Sequence, residues 1–161
     1  TPILGFPGYS VSTLGHVRND KTERILETNL NQYDVLFVGL MRDGVQYHRS
    51  VAKLVARAFV EKDFLAFDTP INLNGDRTDC RAENLVWRPR WFAIRYNRQF
   101  QERSLLSFPN KLRNTKTGEV LDNSWECAIK YGLLERDLVL AVVNKTYVWP
   151  LYIVFEAIPQ D

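Results

Sequence analysis

The run from Ile71 to Trp87, Ile-Asn-Leu-Asn-Gly-Asp-Arg-Thr-Asp-Cys-Arg-Ala-Glu-Asn-Leu-Val-Trp, constrains the fold more than any other part of the chain. Gly75 sits between Asn74 and Asp76, a composition that marks a turn, and the residues from Phe64 to Pro70 read as the loop leading into it. A helix is expected to begin near Arg81 or within the stretch from Trp91 to Gln101.

At 161 residues the chain suits one ordinary domain or two small ones. Hydrophobic residues make up 45% and charged residues 25%, the balance of a soluble globular protein. No run approaches the roughly 18 apolar residues of a membrane span, and no basic start followed by an apolar stretch suggests a secretory signal. An intracellular setting and no membrane partner are therefore expected. Cys80 and Cys127 lie far apart and outside any C-x-x-C pair, so they read as idle thiols rather than zinc ligands. With only His16 and His48 present, imidazole-based sites are scarce, and both histidines read as ordinary surface or half-buried residues.

Short strands are expected at the start: Tyr9 and Val11 alternate with polar neighbours, Gly15 turns the chain, and Val17 begins the next strand. Lys21 to Glu23 read as a turn, and Ile25 and Leu26 resume the sheet. Tyr33 to Met41 suits a central strand, and Asp43-Gly44 signals a hairpin before Val45 to His48 return. Ser50 caps a helix running to about Val60, with Val51, Leu54, Val55, Ala58 and Phe59 at helical spacing. Further on, Leu112 to Ser124 reads as two strand pieces joined at Lys116-Thr117-Gly118. Asn123 or Ser124 caps a helix ending at Gly132, a mostly apolar second helix runs from Glu135 to Val143, and Tyr147 to Ile158 returns as a strand.

Charge is uneven. The net charge is +2, but six arginines against Asp79 and Glu83 give +4 between Arg77 and Arg98 and leave the remainder at −2. Arginine interleaved with Trp87, Trp91, Phe92 and Tyr96 is a composition suited to gripping phosphates. It also suits an amphipathic helix with Trp91 and Ile94 turned inward and Tyr96 as a further candidate for that face.

Anchored on Gly75, Asn84, Leu85 and Trp87, the run from Ile71 to Trp87 resembles the HNH homing endonucleases of phages and introns. The opening Gly8-Tyr9-Ser10-Val11-Ser12 with Gly15, Val17 and Arg18 resembles the module that precedes HNH domains. The Thr117-Gly118-Glu119, Cys127-Ala128 and Gly132-Leu133 landmarks resemble the helix-turn-helix module that follows them. The resemblance implies an α+β fold: an HNH-like ββα domain with its N-terminal β-module over residues 1–100, a linker over 101–110, and a helix-turn-helix-like module over 111–161.

The same alignment places Asn72 where the family has its catalytic histidine, and Ile71 and Ala93 where it has metal-binding side chains. A carboxamide is no general base, and aliphatic groups cannot bind a hard cation. Loss of a general base alone costs on the order of 10²–10⁴ in rate. The expectation is therefore a protein that is not an enzyme and needs no cofactor, and that retains binding to double-stranded DNA through Arg77, Arg88, Arg90, Arg95, Arg98, Lys130, Arg136 and Lys145. Two alternatives stay open. The scaffold could serve as a virion or protein-interaction component, or a shifted loop could offer Asn74 and Asp76 to an active nicking enzyme. The implied setting is the host cytoplasm or the virion.

Overall fold

The computed structural model describes residues 1–161, which divide into two compact units, Thr1–Ala93 and Ile94–Asp161. The second unit takes in residues 101–110. Mixed α/β architecture agrees with the α+β expectation.

In the first unit, β1 (Tyr9–Val11) pairs antiparallel with β2 (Val17–Asn19), Val11 opposite Val17, around a turn at Gly15. A three-stranded antiparallel sheet follows, from β3 (Asn29–Leu30), β4 (Leu36–Arg42) and β5 (Val45–Ser50). Asp43 and Gly44 both have positive φ, 52° and 75°, the geometry whose twist matches that of the strands it joins. β4 starts later than the Tyr33 expected from composition because Asp34, at φ 58°, still turns the chain.

Helix α1 (Val51–Phe59) begins where Ser50 predicts, the Ser50 side chain accepting a hydrogen bond from the Lys53 amide. It buries Val51, Leu54, Val55 and Ala56 in a core shared with Phe6, Tyr9, Val11, Val17, Val38 and Leu40. β6 (Thr69–Asn72) then pairs antiparallel with β7 (Leu85–Arg88), Asn72 opposite Leu85. Helix α2 (Arg90–Gln99) follows at once, giving the strand–strand–helix order.

The phase of α2 differs from the expected one. Trp91 and Ile94 are 50% and 52% exposed, while Phe92, Ala93, Tyr96 and Gln99 are buried. The buried set at i, i+1, i+4 and i+7 is one helical stripe, and it places the indole of Trp91 on the opposite flank. Size alone was a poor guide to direction.

The second unit holds a four-stranded sheet in the order β10-β11-β8-β9, made by β8 (Leu112–Asn114), β9 (Val120–Leu121), β10 (Tyr147–Val148) and β11 (Ile153–Ala157). Two helices pack on it. Helix α3 (Ser124–Tyr131) is capped by Asn123 and ended by Gly132 at φ 68°. Helix α4 (Glu135–Asn144) buries Leu138, Val139, Ala141 and Val142. The core also takes Leu112, Cys127, Leu133, Val148 and Phe155. The expected single strand from Tyr147 is two strands, because the chain turns at residues 149–152 and brings Val148 back beside Ile153.

Candidate nucleic-acid interface

Between β6 and β7 the chain makes a turn held by its own side chains. Gly75 lies at φ 77°, where a Cβ would be strained, and its amide donates to the Asn72 carbonyl. Buried Asn84 donates through Nδ2 to Asn74 Oδ1 and to the Asp79 carbonyl, both at 2.9 Å, and its Oδ1 accepts from the Asn74 amide at 3.1 Å. Asn72, also buried, donates to that same Asp79 carbonyl at 2.9 Å. The Asp79 carboxylate accepts from Arg81 and Asn74, and the Arg81 guanidinium holds its carboxyl below the ordinary range. Asp76 is lowered too, chiefly by the Thr78 hydroxyl. The N-terminal module braces this turn: Ala82 donates to the Thr13 carbonyl at 2.7 Å, and a Cβ on Gly15 would meet Cys80 at 3.3 Å.

Beside β6 opens a cleft of about 450 Å³. β5 contributes His48, Arg49 and Ser50; α1 contributes Lys53 and Arg57; β6 contributes Thr69 and Asn72; Arg77 reaches in from the turn. No carboxylate lines it. Ser50 and Lys53 belong to the start of α1, the positive end of the helix dipole, and no acidic residue occupies its first turn. Lys53 and Arg57 stand at i and i+4 on one helix face, a like-charge pair that disfavours the helix by a few tenths of a kcal/mol, about 0.2–0.5. Cations, helix start and hydroxyls together make a cleft for an anion.

The other residues expected to meet DNA fall into three groups. Arg95, Arg98 and Arg136 line one groove of about 820 Å³ in the second unit, with Glu102 and Asp137 on its walls. Arg90, Lys130 and Lys145 are exposed, and Lys130 is paired with Glu119, which also accepts from the Tyr131 hydroxyl. Arg88 lies in the interior at 1% exposed, donating to the Trp87 carbonyl at 2.8 Å, facing Asp63 at 3.5 Å and stacking on Phe92. It lies on the face of β7 opposite Leu85 and Trp87 and is buried there all the same, so it holds the fold rather than a phosphate.

Sequence reasoning passed over His48, Arg49, Lys53 and Arg57. The i, i+4 spacing of Lys53 and Arg57 behind a capped helix start was the available signal. Asn74 and Asp76, the pair that a shifted loop could have offered to a cation, are hydrogen-bonded within the turn. Ile71 and Ala93 are buried and aliphatic, and no group of three His, Cys, Asp or Glu side chains converges anywhere. These donors do not fit a divalent cation.

Comparison with known proteins adds three findings. Residues 1–41 match the NUMOD4 motif. A protein of Acanthamoeba polyphaga mimivirus, named as an uncharacterized HNH endonuclease, is 36% identical over 88 residues. That match covers 53% of this chain and only 22% of the relative's length. A solved structure reported for DNA binding and cleavage by the HNH homing endonuclease I-HmuI shares the fold over 100% of this chain and 98% of its own, with a TM-score of 0.55 and 18% identity.

These names overturn the expectation that the chain is not an enzyme, since both the relative and the structural neighbour are endonucleases by name. That expectation weighed three positions of one pattern. It took no account of groups that other elements carry to the same place, and His48 reaches the cleft of Asn72 from β5.

Proposed function

We propose that the chain works as the HNH homing endonucleases that it resembles in motif, relative and fold, gripping double-stranded DNA in the cleft between β5, α1 and β6 and cleaving the backbone held there. The carrying observation is the charge of that cleft: Lys53, Arg57 and Arg77 with no opposing carboxylate, at the start of a helix, the Arg49 guanidinium being stacked on Phe6 and Tyr47. Duplex DNA carries one negative charge per roughly 1.7 Å of axis, so a cleft of this kind is matched to phosphates spaced along a strand. The groove formed by Arg95, Arg98 and Arg136 supplies a second phosphate contact from the C-terminal unit.

Base readout is weak in this reading. Helix α4, the second helix of a helix-turn-helix-like pair with α3, buries Leu138, Val139, Ala141 and Val142 and exposes few side chains able to read base edges. Phosphate contacts position a protein without specifying sequence. The protein is expected to act on viral or host DNA inside an infected cell, and no helix is long and apolar enough to cross a membrane.

Incubation with unrelated duplexes and with supercoiled plasmid tests the proposal. Similar retention of all duplexes and conversion of plasmid to open circles are expected; failure to retain duplex DNA at low salt would refute it. A second reading, contact with another protein, is favoured by the outer face of α4, where Leu140 and Val143 are 41% and 63% exposed. A charged residue at Val143, which lies outside the arginine groove, would abolish such an association and leave DNA retention unchanged.

A further inference from the structure

We infer that His48 is the proton acceptor of the cleft and that cleavage there runs on the chain's own cations, without a divalent metal. The inference rests on the DNA-cleaving reading above and deepens it. Among the side chains lining the cleft, the imidazole of His48 is the one group able to take a proton from water: Arg49, Lys53, Arg57 and Arg77 are donors only, and Ser50, Thr69 and Asn72 are neutral groups of negligible basicity. His48 is exposed, so water and substrate reach it, and its ring is steadied edge-on against Phe37 at 5.2 Å between centroids. It also lines the adjoining cavity with Asn31 and Phe37, which makes it the wall between two openings rather than a side chain lost in solvent.

The absence of a carboxylate decides the role of metal. A divalent cation needs hard, anionic oxygen ligands, and the cationic side chains of Lys53, Arg57 and Arg77 in the same small cleft repel it. Those three cations can instead neutralise the phosphoryl oxygens and the departing oxygen, which is the task a metal performs elsewhere. In the step itself, a water oxygen forms a bond to phosphorus and its proton passes to the His48 ring nitrogen. The phosphorus–oxygen bond to the departing sugar breaks on the side opposite the attack, its electron pair stays on that oxygen, which takes a proton from solvent water, and the imidazolium releases its proton to solvent. Water is the only co-reactant, and nothing is oxidised or reduced.

The experiment is plasmid nicking in excess chelator beside nicking in added Mg²⁺, with wild type, His48→Ala and the exposed control His16→Ala, each checked for folding by circular dichroism and for duplex retention. Nicking is expected to persist in chelator and to fall by roughly 10²–10⁴ in His48→Ala, the range for loss of a general base. Duplex retention should stay within about twofold. Added imidazole should restore part of the lost rate, which a merely structural histidine would not allow. Should His48→Ala misfold, His48→Gln keeps the size and removes the basic nitrogen. Nicking that requires Mg²⁺ or survives both substitutions overturns the inference while the DNA-cleaving reading stands. Retention without nicking in either buffer overturns the inference and the cleavage half of that reading, and absent retention overturns the reading as a whole.

Discussion

The buried Asn84 side chain ties the turn between β6 and β7 together, bonding to the Asn74 side chain, the Asn74 amide and the Asp79 carbonyl. Removing it leaves the Asn74 amide without that acceptor in a partly buried place, and a buried polar group left unsatisfied costs about 1–3 kcal/mol. Asn84→Ala should therefore lower unfolding stability by about 2–3 kcal/mol in urea titration; an unchanged midpoint would mean that water replaces the amide without penalty. The cysteines make a second case at this scale. Burial pushes the Cys80 thiol up to about 11 and the Cys127 thiol up to about 12, against 9.0 for a free thiol. The unfolded chain thus gives up its thiol protons first, and the stability tied to these groups is intact below pH 9 and declines as pH rises towards 11–12. Wild type should lose more stability between pH 8.5 and about 10.5 than a Cys80→Ala, Cys127→Ala double variant, compared by urea midpoints. Equal losses would contradict the assignment.

At the scale of elements, capping decides what can be read from sequence. α1 starts where Ser50 says it should, and α3 starts and stops where Asn123 and Gly132 say it should, because each of these boundaries is fixed by a side chain or a left-handed φ within the segment itself. Asp43-Gly44 is legible for the same reason. The inward face of α2 and the split between β10 and β11 are not local: the first follows from what Phe92 and Tyr96 pack against, the second from the pairing of Val148 with Ile153. Ser50→Ala tests the most consequential of these local signals, since the same residue lines the cleft. It should cost about 1 kcal/mol in stability, the usual loss for an N-cap, and should weaken DNA retention by shifting the Lys53 turn. Full stability in thermal or urea unfolding would show that α1 starts without its cap.

Across the whole molecule, the module order from an N-terminal hairpin to a two-helix C-terminal unit is legible in the sequence, while the cleft is not. Its cations come from β5, α1 and the turn at Arg77, separated in sequence by the whole of β6 and the preceding loop, whereas the arginine-rich run that attracts notice from composition sends Arg88 to the interior. Local charge density locates basic residues; the fold decides which of them face an anion. The central claim is that the cleft holds DNA phosphates, and the most direct measurement is the dependence of duplex affinity on salt for wild type, Lys53→Ala/Arg57→Ala and Arg88→Met. Each phosphate neutralised contributes about 0.9 to the slope of log affinity against log salt. The cleft variant should lose about two such contacts, flattening the slope by roughly 1.8 for every duplex sequence tried, while Arg88→Met keeps the wild-type slope. A cleft variant with the wild-type slope, or an Arg88→Met protein that flattens as much, would place the DNA elsewhere.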